Sequence, residues 1–118
     1  MVVLRLLALF LTLALSTAIA QAHAYLERAS PRVGSTVTSA PSEVRLWFSQ
    51  ALEPKFTTAQ LRSGFGSVVA TGGVDTADPK QIVIRPHALP AGSYKVFWKV
   101  LSVDSHHTEG SFGFEVKP

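Results

Sequence analysis

Asp104 and His106 stand two residues apart in the run Leu101-Ser102-Val103-Asp104-Ser105-His106-His107-Thr108-Glu109-Gly110. On an extended strand, residues at that spacing share a face, so a carboxylate and an imidazole can reach one point in space. Both are donors to a divalent metal ion, but two ligands rarely make a tight site. The spacing therefore asks for a third ligand from elsewhere in the chain. His23 supplies it, because it directly follows Ala20-Gln21-Ala22, the small-x-small end of a cleavable export signal.

Cleavage after Ala22 would make His23 the first residue. Its free α-amine and ring Nδ1 would then close a chelate ring on one ion. An α-amine has a pKa of about 7.7–8.0 and gives up its proton to a strongly bound metal near neutrality. With Asp104 and His106 added, the set is three nitrogens and one oxygen. Such donors suit a tetragonal Cu(II) ion, which also tops the divalent affinity order. Zinc accepts the same donors, and geometry alone separates the two. Each part has a plainer reading. Asp-x-His by itself is commonly a surface or capping pair, and cleavage after Ala20 or Ala24 would abolish the chelate. His107 falls on the opposite strand face unless a bulge turns it inward. Whether His107 or Gln50 assists the site stays open, and His87 reads as a loop residue. Ser102 has no general base in a triad-like pattern.

The elements that must position these residues read as strands. Tyr94, Val96, Trp98 and Val100 alternate with Lys95 and Lys99, and the same count carries Ser102, Asp104 and His106 on the apolar face. Further candidates are 23–29 as an edge strand, 43–48, 57–61, 67–71, 81–85 and 112–116. Ser30-Pro31-Arg32-Val33-Gly34-Ser35 reads as a turn, and Gly72-Gly73 with Asp78-Pro79 bound a loop. No helical period appears after residue 22. About seven short strands separated by turn signals predict an antiparallel Greek-key sandwich or barrel, all-β throughout. Trp47, Trp98 and the phenylalanines are expected in its core.

Composition narrows the function. Arg5 precedes an apolar run from Leu6 to Leu15 broken only by Thr12, so 1–22 reads as a signal peptide and 23–118 as one exported domain. The net charge is +3 without a Lys/Arg cluster, which excludes a nucleic-acid footprint. There is no cysteine, and the single methionine is Met1, so soft sulfur ligands are absent from the mature domain.

His23-Ala24-x-Leu26 with Ser30-Pro31-x-x-Gly34, then Pro90-x-Gly92-x-Tyr94-x-Val96-x-Trp98-x-Val100-x-Ser102-x-Asp104-x-His106-x-x-x-Gly110-x-Phe112-x-Phe114, resembles the CopC family of periplasmic copper-resistance proteins. The resemblance implies a cupredoxin-like or immunoglobulin-like β-sandwich holding one Cu(II) through His23, Asp104 and His106. It also implies a separate CopD-like inner-membrane copper transporter as partner. The chain departs from the family pattern in lacking a methionine-rich loop, so no Cu(I) site is expected. Gln50 stands where an acidic residue is frequent, and Tyr25 where some members carry a second histidine. The expectation is a monomeric, non-enzymatic copper carrier, periplasmic or secreted. A metal-free immunoglobulin-like interaction module and a copper-dependent oxidative enzyme are the alternatives, in that order.

Overall fold

The apolar alternation that marks the strands becomes the inner face of one curled sheet in the computed structural model, which describes residues 23–118. The expected signal peptide, 1–22, lies outside the described residues. The strands are β1 (Leu26–Ser30), β2 (Thr36–Val37), β3 (Val44–Phe48), β4 (Thr58–Ser63), β5 (Val68–Val74), β6 (Gln81–Ile84), β7 (Gly92–Leu101) and β8 (His107–Val116). They form an eight-stranded sheet in the order β1-β3-β6-β5-β4-β7-β8-β2. Every pairing is antiparallel except β2 with β8. The expected all-β antiparallel architecture is present, with eight strands rather than about seven. The additional one, β2, is two residues long and too short to carry a period.

Val44, Leu46 and Phe48 of β3 are buried while Arg45 and Trp47 between them are only partly so, the half-buried alternation of a sheet with one wet face. Their partners in the core are Leu61, Ile82, Ile84, Val96, Val100, Phe112 and Phe114. Fully burying one such side chain contributes about 1.5–3 kcal/mol. Leu46→Ala, at a position with no exposure, would cost about 2–5 kcal/mol. The aromatic expectation holds for Phe48, Phe112 and Phe114, whereas Phe56 and Phe65 are exposed. Trp47 instead carries Arg28, whose guanidinium lies 3.9 Å from the ring centroid.

Two glycines explain where the reading of the sequence slipped. Gly72-Gly73, expected to open a loop, lie inside β5 opposite Ile84 and Val83 of β6. A Cβ on Gly72 would sit 2.2 Å from the Val83 carbonyl oxygen, so these strands pack too closely for any side chain there. Gly110 of β8 plays the same part toward Trp98, whose ring would be 2.4 Å from an added Cβ.

The largest correction concerns β7. It does not run on through Asp104 and His106 but ends at Leu101, and the chain reverses into β8 at His107. Ser105 adopts the left-handed conformation, φ 72°, that such a reversal requires. The Ser105 N–H bonds the Ser102 carbonyl at 2.9 Å and the Ser102 N–H bonds the His106 carbonyl at 3.0 Å. Asp104 and His106 are neighbours because of a turn, not because of strand alternation.

Candidate metal centre

Ser102 anchors this turn. It has no exposure, and an isolated bridge joins it to Leu52. Its hydroxyl donates to Asp104 Oδ1 and also lies 3.2 Å from the His106 carbonyl oxygen. With Oδ1 engaged, the other carboxylate oxygen is set toward His106, whose Nδ1 is 3.2 Å away. Asp104 Oδ2 is buried and makes no hydrogen bond; with Trp98 Nε1 it is one of two such side-chain atoms among the described residues. A buried acceptor with only a long contact to one imidazole is costly unless something else takes its lone pairs. The Ser102 hydroxyl holds the Asp104 pKa below its ordinary value; burial opposes this, and the neighbouring His106 reinforces it. Asp104 is thus kept as an anion.

The N-terminal segment is brought to the same end of the sheet by four polar contacts. Ser49 Oγ accepts from the Tyr25 N–H at 3.0 Å and donates to the His23 carbonyl oxygen at 3.4 Å. The Ser49 N–H bonds the Tyr25 carbonyl at 3.0 Å, and Thr108 Oγ1 donates to the Ala24 carbonyl at 2.9 Å. Between them Ala24 is wholly buried. The result sets the His23 ring edge to face with the His106 ring, centroids 4.3 Å apart.

His23, Asp104 and His106 are therefore linked in sequence, His23 to His106 and His106 to Asp104. Among the described residues no three His, Asp or Glu side chains are already gathered into a metal-holding cluster. In the uncut chain the His23 nitrogen is still a peptide nitrogen, bonded to Ala22. His107 opens β8, exposed, opposite Leu101, and His87 is exposed in the loop before β7. Gln50 is half-buried in the loop after β3. Sequence reasoning passed over the roles of Ser49 and Thr108. Their only sequence-level signal is a hydroxyl side chain at the end of an apolar strand pattern, which is too common to single out.

The donor set fits a borderline divalent ion. It offers two imidazoles in contact, one of them half exposed, and a buried anionic oxygen beside that one. Comparison with known proteins supplies context. A family model described as the CopC domain matches residues 26–117. Copper resistance protein C of Escherichia coli is 39% identical over 107 residues, 83% of this chain and 84% of that protein. The crystal structure of CopC from Methylosinus trichosporium OB3b superposes with a TM-score of 0.77 at 31% identity, covering 81% of this chain and 95% of that one. PcoC, a methionine-rich copper resistance protein from Escherichia coli, gives 0.72 at 38% identity, covering 81% and 100%.

Proposed function

The chain belongs to the CopC family, and on that premise we propose that it is an exported protein that holds one Cu(II) ion and buffers or delivers it outside the inner membrane. The ligands are His23, through its amine and ring Nδ1, the Asp104 carboxylate and the His106 imidazole. The observation that carries this reading is the buried Oδ2 of Asp104 held 3.2 Å from His106 Nδ1, with the His23 ring against the same imidazole. Cleavage after Ala22 supplies the amine, and modest rotation of the two imidazoles brings all donors to one ion. The work is binding and release rather than catalysis. Its exchange partner is a membrane copper transporter of the CopD kind.

The relatives named for copper resistance support the metal, and the donor chemistry supports the oxidation state. With Met1 as the only methionine and no cysteine, the mature domain has no thioether or thiolate to favour Cu(I). Loss of protons from the amine and both imidazoles makes binding weaken as pH falls.

A competitive Cu(II) titration followed by electron paramagnetic resonance tests the proposal on two proteins, one beginning at His23 and one with a single residue added before it. Tight one-to-one binding with a nitrogen-rich tetragonal signal is expected for the first, and sharply weaker binding for the second. Equal, weak binding in both would sink the amine-anchored site.

A further inference from the structure

We propose that the end of the sheet opposite Asp104 docks on an anionic lipid bilayer. Phe65 carries the inference. It sits at the tip of the β4–β5 hairpin between Gly64 and Gly66 and is completely exposed. The tip is well made: the Ser63 N–H bonds the Ser67 carbonyl and the Gly66 N–H bonds the Ser63 carbonyl, both at 2.9 Å. Gly66 takes a positive φ of 89°, which fixes the turn that lifts the ring off the sheet. Val68 and Val69 behind it are 49% and 42% exposed. An open groove of about 680 Å³ runs from Phe65 and Val69 to Leu89 and Pro90, extending the apolar surface. An exposed apolar patch of this kind marks a contact surface.

The charges beside it select the partner. Arg62 of β4 and Lys95 of β7 are directly paired across the ladder. Like charges in that position repel and weaken the pairing. No carboxylate among the described residues lies within ion-pair distance of either, and both cations instead lie over the Phe97 ring, at 4.3 Å and 5.9 Å. Lys117 follows the last residue of β8 at the same end. The acid here is Glu115, which takes a hydrogen bond from Ser93 at 3.3 Å. An aromatic tip flanked by uncompensated cations matches a surface that is apolar beneath and anionic at its headgroups. β7, ten residues long, separates this end from Asp104 by roughly 30 Å. A docked molecule would therefore hold its His23–Asp104–His106 end away from the lipid. The inference does not depend on which metal, if any, that end binds.

The test is co-sedimentation of the chain from His23 to Pro118, whose core lies wholly between Ala24 and Val116, with two kinds of vesicle. One is pure phosphatidylcholine, the other an equal mixture with phosphatidylglycerol. Binding to the mixed vesicles only is expected, falling severalfold as salt is raised. Phe65→Ser should lower it at least fivefold without changing the melting temperature, and Arg62→Gln with Lys95→Gln should remove the preference for phosphatidylglycerol. No sedimentation with either vesicle would overturn the proposal, as would binding that Phe65→Ser leaves intact. A Phe65-dependent dimer in sedimentation velocity, without vesicle binding, would assign the patch to a second copy and equally overturn it.

Discussion

Two clusters of charge in this molecule each hold a carboxylate against a basic side chain and end differently. Around Arg45, Nε meets Glu43 at 2.8 Å, while Nη1 meets Asp75 at 2.5 Å and the Gln81 side-chain oxygen at 3.0 Å. Asp75 also accepts from the Ala77 N–H at 3.0 Å. Around Asp104, one oxygen is taken by Ser102 and the other is buried without a hydrogen bond. The first cluster closes on itself and ties β3 to the chain after β5. The second sets Asp104 Oδ2 3.2 Å from His106 Nδ1, with the His23 ring against the same imidazole. A structural ion cluster satisfies its own donors and acceptors; a buried oxygen with only one long contact calls for an explanation, and the proposed metal ion supplies one.

The most severe way to break this contrast is His106→Ala in the protein beginning at His23. Loss of a position next to a ligand costs about 10–100-fold in metal affinity, so loss of the ligand itself should exceed about 100-fold. Competitive titration reads it, while the melting temperature of the metal-free protein should stay nearly constant because the side chain is half exposed. Ser102→Ala comes next. It releases Asp104 Oδ1 without touching any proposed ligand, and Cu(II) affinity should fall by about 10–100-fold, with Ser102→Thr restoring part of it. An unchanged affinity would mean that the turn, not the hydroxyl, orients the carboxylate.

Arg45→Met should do the reverse, costing stability on the order of 1 kcal/mol with no change in copper titration. The smallest effect is on acid stability. The Arg45 hydrogen bond lowers the Glu43 pKa from its ordinary 4.5, and the Ala77 N–H, then Arg45, lowers that of Asp75 from 3.8. Both carboxylates are depressed in the folded state, so the stability they lend is fully present above those ordinary values. It is lost as pH falls below them, through the lowered folded-state values. Thermal unfolding of the metal-free protein across that acid range should therefore show a decline that Arg45→Met flattens.

Much of this molecule was legible in its sequence. The period-two runs at 44–48 and 94–100 fixed two central strands because half-burial forces alternation on any chain that forms a sheet with one wet face. Ala20-Gln21-Ala22 before His23, and the Asp-x-His pair, named three chemically apt residues, since donor chemistry is a property of side chains and their spacing. Other features depend on contacts between distant segments. Gly72-Gly73 read as a loop because a glycine's local preference cannot reveal Val83 packed against it. Strand alternation put Asp104 beside His106 for the wrong reason, and only the left-handed Ser105 and buried Ser102 define the turn that does so. The Ser49 and Thr108 bonds that bring residue 23 beside residue 106 span |i−j| separations of 24 to 84. The sequence determined which atoms could bind a metal. The tertiary structure decided which are held near one another, because proximity across such separations comes from strand pairing and burial rather than from local spacing.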